Sequence, residues 1–422
     1  MLYCAIWAEA WLSDLGFCLI MAVTGVWIKQ RLHPLRAGRI RSVTQLKMET
    51  ATMRKQRNGI RRLAVLLLGS ILLGSVSEGA AGKIPVPVIH VTDLYRPHCD
   101  PDDHWDLACV FALAHRGAID LKAVVIDYPQ VGRPERNPDV AAVAQMNRIT
   151  HLAVPVVAGC PLPMKSRNDT QPNATSSDHH AAETVLRLLH SAERPVVIHV
   201  IGCCRDIALA GKKAPDLFAR KCAGIYLNAG TGLPGTKLEW NVSLGRAAYA
   251  AIFDLPCPIY WMPCFEGKVP ADRPEKRGFG THYVFRQGEI LPHLSARAQN
   301  YFLYMLGRYT DQNWLGYLEQ KPDDKLLAEF SAKDRNMWCT GGFLYCAGYT
   351  ATPDGKIVPR DKAGGAPVFT FDPIAVTCDD NGHTAWRPDP KSKNRFIFHV
   401  RDAQNYPTAM TIAMKSLLSK LP

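Results

Sequence analysis

The chain has 422 residues, 47% apolar and 21% charged, with 31 glycines and 30 prolines, a composition that allows a large core and excludes a disordered tail or a disulfide-stapled miniature. Its net charge of +12 would invite a nucleic-acid reading if the excess were spread evenly, but residues 1–82 hold 11 basic against 4 acidic residues, leaving 39 against 34 over residues 83–422. A body so mildly basic gives no reason to expect nucleic acid as a partner.

Residues 12–28 form an apolar stretch followed by a basic segment, and residues 53–82 repeat that order with an apolar run from Leu63 to Val76 and small residues around Ala80 and Ala81. The second segment has the charge, apolar and small-residue order of a secretory signal peptide, and its apolar run is short for a membrane span. Two export-like segments in succession make residues 1–52 an expected extension upstream of a true start at Met53 or Met48; the alternatives are a first membrane helix at 12–28 and an uncleaved anchor in place of the signal peptide. Residues 53–82 are then the signal peptide and 83–422 the domain, exported to the periplasm or beyond after cleavage near residue 82, with no stable membrane span once mature.

From residue 84 short β-branched runs alternate with helical stretches. Strands are expected at 84–92, 121–127, 154–159, 195–202, 223–230 and 257–263, and helices at 104–117, 138–150, 181–192, 207–221 and 245–254. This order predicts an α/β fold, an open and mostly parallel sheet flanked by helices, with ligands beyond the carboxyl ends of its strands. After residue 264 come a helix (295–309), a Trp/Gly/Cys-rich segment (337–349), a short β region (367–386) and a last amphipathic helix (408–421), together a small C-terminal α+β extension. His90, His199 and His399 fall within strands and are expected to be packed or hydrogen-bonded. Eleven of the thirteen cysteines follow residue 82, and none forms a C-x-x-C pair, which removes support for zinc-ribbon or thioredoxin-type chemistry.

The most informative residues lie where the first strand ends, in T-D-L-Y-R-P-H-C-D-P-D-D-H-W-D: Asp93, Asp100, Asp102, Asp103 and Asp106. Carboxylates so dense between a buried strand and a helix repel one another unless a cation sits among them, and a hard cation takes oxygen ligands. Asp102 and Asp103 also fall at a helix N-terminus, where the dipole favours negative charge. His98 and His104 flank the cluster, and both are candidates for touching substrate. Asn228 ends a strand on the same sheet edge.

With these residues the sequence resembles the inosine/uridine-preferring nucleoside hydrolases, calcium-dependent enzymes that cut the N-glycosidic bond of ribonucleosides. Asp93 and the Asp102-Asp103 pair match the family's D-x-D-P-G-x-D-D loop, although the Pro-Gly turn is replaced by a longer insertion that brings Asp100, as in a divergent, exported branch. G-C-C-R-D at 202–206 stands where the family has G-P-L-T-N, and E-W-N at 239–241 where it has E-F-N. The resemblance implies Ca2+ held by Asp93, Asp103 and the backbone carbonyl of Arg205. It also implies Asp93 as the base that takes a proton from water, and Asp102, Glu239 and Asn241 on the sugar, with Trp240 as an apolar wall. The family's late His-Asp ligand motif is missing near residues 335–348: Asp334, Thr340 or a water could fill the place, and Trp338 is either a base-stacking residue or a core residue. The expected function is therefore hydrolysis of a small-molecule nucleoside or related ribosyl compound; the alternative is a non-catalytic exported protein that binds sugar or nucleoside on the same scaffold. Homo-oligomers occur in the family, and the sequence does not decide this.

Overall fold

The computed structural model describes residues 84–96, 101–127, 137–231, 238–264, 278–308, 310–364 and 367–422. The candidate residue Asp100, with His98, and the expected leader and extension within 1–83 lie outside the described residues.

The first half is a run of strand-helix units. In chain order these are β1 (Val86–Thr92), α1 (Asp102–His115), β2 (Ile119–Ile126), α2 (Val140–Thr150), β3 (Val156–Ala158), α3 (His180–Ser191), β4 (Val196–Val200), α4 (Arg205–Lys213), α5 (Pro215–Lys221), β5 (Cys222–Asn228), α6 (Trp240–Leu244), α7 (Arg246–Ile252) and β6 (Ile259–Met262). The β-branched residues of β1, β2 and β4 suit strands covered on both faces, which read as continuous apolar runs rather than alternating ones. The single helix expected over 207–221 is two: Ala214 leaves helical geometry at φ −143°, and Pro215, with no N–H to give, opens α5.

Beyond β6 come β7 (Tyr283–Arg286), α8 (Ala296–Leu303), α9 (Asp324–Ser331), β8 (Asp334–Met337), α10 (Thr340–Cys346), β9 (Tyr349–Ala351), β10 (Ile357–Pro359), β11 (Phe369–Cys378), β12 (Thr384–Pro388), β13 (Arg395–Val400) and α11 (Tyr406–Leu418). The nine-stranded sheet runs β12-β11-β13-β6-β5-β4-β1-β2-β3. Every pairing from β13 to β3 is parallel, and β11 and β12 close the far edge antiparallel. The C-terminal β region therefore widens the main sheet through β13, which docks parallel to β6 in register Phe396 to Tyr260.

Helices cover both faces. Residues of α1, α2, α8, α10 and α11 form one apolar cluster, and residues of α3, α4 and α7 form the other. The strand histidines are packed as expected: His90 and His199 are neighbours on β1 and β4 beside Phe343, and burial holds His90 down at about 3. His199 Nε2 lies 2.9 Å from Cys346 Sγ, and His399 Nδ1 lies 2.7 Å from Asp372 Oδ2.

The placement of α1 matters most, because it carries the acidic pair. Trp105 pins it: the indole is fully buried, stacked on Phe302 at 4.1 Å and edge-on to Phe285 at 5.0 Å. Trp105→Ala removes that anchor and is expected to lower unfolding stability by about 3–5 kcal/mol, read from urea denaturation of the two proteins side by side.

Candidate active site

In a parallel sheet the carboxyl ends of the strands and the amino ends of the following helices meet along one edge. Asp93 follows β1, Asp102 and Asp103 open α1, Asp127 follows β2, and the Gly202-Cys203 turn links β4 to α4. Their convergence is tight. The Asp127 amide donates to the Thr92 carbonyl at 2.9 Å, and the Ile201 amide donates to the Val91 carbonyl at 2.9 Å, so these strand ends are stitched together. A Cβ at residue 202 would stand 2.6 Å from Asp127 Oδ2 and 2.8 Å from the Asp93 nitrogen; glycine is the residue that lets the two carboxylate-bearing loops close on the turn.

Asp103 is buried, accepts a hydrogen bond from Thr92 Oγ1 and shares one with the Asp93 side chain. Burial, then the charges of Asp93 and Asp102, push its carboxyl well above the usual aspartate range. Trp240 Nε1 donates to Asp93 Oδ2 at 3.2 Å while its ring stays 42% exposed, so the residue is both a wall and a hydrogen-bond partner of the expected base.

Sequence reasoning passed over Asp127, although the rule that marked Asp93, an aspartate at the carboxyl end of a β-branched run, applies equally to V-V-I-D. Asp127 is 2% exposed; its Oδ2 accepts the Cys203 amide and its Oδ1 has no partner among the described residues. Below it Asp206 accepts the Cys160 amide at 2.7 Å. The guanidinium of Arg205, also buried, donates to the Cys160 carbonyl at 2.7 Å and is felt by both aspartates. Part of the positive charge that the acidic edge requires is thus supplied by the Arg205 side chain. Its backbone carbonyl, expected as a metal ligand, belongs to the first residue of α4 and so faces along the helix into the hydrogen-bond ladder.

Several other candidates are committed to the framework. Glu239 caps α6, accepting from Asn241 N at 2.8 Å, Val242 N at 3.3 Å and Gly230 N at 2.8 Å, while burial raises its carboxyl overall. Asn241 uses its amide on the carbonyls of Ile201 at 3.0 Å and Asn228 at 3.1 Å. Asn228 donates to the Met262 carbonyl at 2.9 Å and to Thr281 Oγ1 at 3.3 Å, and accepts from Cys339 Sγ at 3.2 Å. His104 is buried on the far side of its helix turn, with Nε2 3.5 Å from Asp139 Oδ2, and burial lowers its pKa. Thr340 pairs with the Tyr283 hydroxyl at 2.9 Å, and Asp334 starts β8 on the surface. The residue that segment turns toward the carboxylates is Cys339, which feels Asp106 and Asp102. Trp338 is buried, with its ring 5.3 Å from that of His282.

The donor chemistry fits a hard divalent cation: the carboxylates of Asp93, Asp102 and Asp103 share one pocket edge, and Asp103 and Asp93 must share a proton when no cation separates them. Among the described residues no three His, Cys, Asp or Glu side chains yet converge closely enough to enclose a metal ion.

Fold and site define an α/β protein with a carboxylate-rich ligand edge at the switch of its parallel sheet. The model of the family described as inosine-uridine preferring nucleoside hydrolase matches residues 98–276, from the acidic loop past β6, and over that span the chain is similar to this family. No curated protein sequence matches. Among solved structures the chain is similar to an inosine-uridine preferring nucleoside hydrolase from Bacillus anthracis (13% identity, 78% of this chain and 99% of that one, TM-score 0.43). It is also similar to the plant nucleoside hydrolase PpNRh1 (14%, 79% and 99%, TM-score 0.45) and to the effector protein XOO4466 (14%, 80% and 95%, TM-score 0.48).

The buried aspartates have a pH signature. Burial and their neighbours raise Asp127, and burial raises Asp206. Above the ordinary aspartate value of 3.8 the folded metal-free chain therefore holds protons that the unfolded chain has released, and its stability falls as pH rises. Asp127→Asn is expected to flatten that fall and raise stability at neutral pH, measured as urea midpoints from pH 4 to pH 8.

Proposed function

We propose that the chain is an exported hydrolase that cuts the N-glycosidic bond of a ribonucleoside or a related ribosyl compound, residues 83–422 forming the working domain. The observation that carries this reading is the convergence of Asp93, Asp102, Asp103 and Asp127 at one sheet edge, with Trp240 hydrogen-bonded to Asp93 and open to solvent. Asp93 and Asp103, with Asp102 beside them, would hold a divalent cation, calcium by the resemblance. When bound, the cation makes a water more acidic at neutral pH.

Asp93 is the base: it takes a proton from the attacking water, and the Trp240 N–H keeps its Oδ2 oriented. Asp103 is fixed by Thr92 and cannot swing away. Asp102 and Asp127 face the sugar, and carboxylates around a ribosyl ring stabilise the positive charge of an oxocarbenium-like transition state. Trp240 offers an aromatic face to the sugar or base. Glu239 and Asn241 act through the backbone: one caps α6, and the other ties the ends of β4 and β5, which holds Trp240 over Asp93.

The engagement of both Asn228 and Asn241 amides by backbone favours a second reading, a binding protein without turnover. Release of ribose from purine and pyrimidine nucleosides by the purified chain, with calcium and with chelator, separates the two. Turnover that needs the cation and falls about 100-fold or more in Asp93→Asn and in Asp103→Ala is the expected result. Tight nucleoside binding by calorimetry with no ribose released would give the second reading the lead, and neither binding nor release would sink both.

A further inference from the structure

Cys222 and Cys257, both free thiols, are brought together by an irregularity in the sheet. Cys222 opens β5, and Cys257 lies two residues before β6, its parallel neighbour. The pairing of β4 with β5 slips at this point: Val196 faces Cys222 but Val197 faces Gly224, so Ala223 is an extra residue in β5. One extra residue turns the side chains before it to the opposite face. Cys222 thereby joins Ile225 and Leu227 in the apolar cluster that also holds Cys257, Ile259 and Trp261.

The backbones are close as well as aligned. The Ile225 amide donates to the Pro258 carbonyl at 2.9 Å, so the two strands stay paired up to the residue after Cys257. Neighbouring strands lie about 4.8 Å apart, inside the range of Cα separations, about 4.4–6.8 Å, that a disulfide spans. The Cys222 thiol feels that of Cys257, which together with burial pushes it up, and each is almost wholly buried, at 5% and 1% exposed.

We propose that Cys222 and Cys257 are a redox site of this protein and close to a disulfide in an oxidising compartment. The step needs a disulfide oxidant. The Cys222 thiolate attacks one sulfur of oxidised glutathione and releases one glutathione thiolate; the Cys257 thiolate then attacks the Cys222 sulfur of the mixed disulfide and releases the second. Two protein thiols lose two electrons and two protons, and the small-molecule disulfide is reduced to two thiols. The link closes the segment 223–256, which carries Asn228, Glu239, Trp240 and Asn241, and so ties down the strand-to-strand excursion on which Trp240 is hung over Asp93.

The full chain is treated with oxidised glutathione in two arms, as the folded protein and during refolding from denaturant, so that burial of the thiols does not hide them. Each sample is then unfolded, alkylated, digested without reductant and mapped by mass spectrometry. The expected result is a peptide pair joining Cys222 to Cys257, lighter by two hydrogens than the separate peptides. Reductant should lower the thermal midpoint of the oxidised wild type by about 5 °C and leave that of Cys222→Ala unchanged. Alkyl or glutathione adducts on both cysteines in both arms, or a link from either one to a different cysteine, overturn the proposal. Should Cys222→Ala fail to fold, the wild-type map decides alone.

Discussion

Repulsion among carboxylates at one edge of a parallel sheet is the constraint around which this molecule is arranged. The topology leaves the chain little choice: strands that all run one way deliver their last residues, and the first residues of their helices, to the same edge. The helix ends there carry partial positive charge and unpaired N–H groups, so they tolerate acids better than any other place in the fold. Asp127 accepts the Cys203 amide just before α4, Asp206 accepts the Cys160 amide from the loop after β3, and Arg205 adds a buried cation. At Asp103 burial comes first, and the charges of Asp93 and Asp102 then add to it, to push the carboxyl up. That crowding of three carboxylates, not the fold, is what points to a ligand.

The residues around the trio divide by what their hydrogen bonds already do. Glu239, Asn241 and Asn228 are tied into caps and strand ends, and their effect on any substrate is through the geometry they impose. Asp93, Asp102, Asp103 and Trp240 are the groups gathered at the ligand edge, with the buried carboxylate of Asp127 close to Asp93. Gly202 belongs with the second set although it touches nothing chemically, since a side chain there would force Asp127 and Asp93 apart.

Much of this was legible in the sequence, because β-branched runs and helical spacing are local signals. The alternation from β1 to β6 and the aspartates at the end of β1 were read from such signals, and the family match covers the same region. What escaped depends on long-range partners. The parallel docking of β13 on β6 joins residues far apart in the chain, and no local pattern marks it. The break between α4 and α5 was visible in Pro215 but overridden by the helical run on either side. Asp127 was missed because a single aspartate after a strand reads as a turn residue until β1 is known to lie beside β2 and β4 beyond it. The direction of the Arg205 carbonyl depends on the residue at which α4 begins, which propensity does not settle.

The part of the chain beyond residue 264 is bound into the site rather than appended to it. Asn228 receives Cys339 and holds Thr281, the Thr281 carbonyl accepts the Tyr406 hydroxyl at 2.9 Å, and the Tyr301 hydroxyl donates to the His104 carbonyl at 3.2 Å. The bonds to Asn228 and to His104 join C-terminal residues to the sheet edge and to the helix that bears the acidic pair, and the Tyr406 bond braces Thr281 in turn. Cys339 stands where the segment 337–341 approaches Asp106 and Asp102, and a thiol there adds neither charge nor a hard oxygen to the set. Among the described residues, a cation at this edge would therefore rest on the aspartates that follow β1 and open α1. Its affinity would be governed by how firmly α1 is seated, and the C-terminal elements seat it, through Trp105 against Phe302 and Phe285 and through Tyr301 against the first turn of α1.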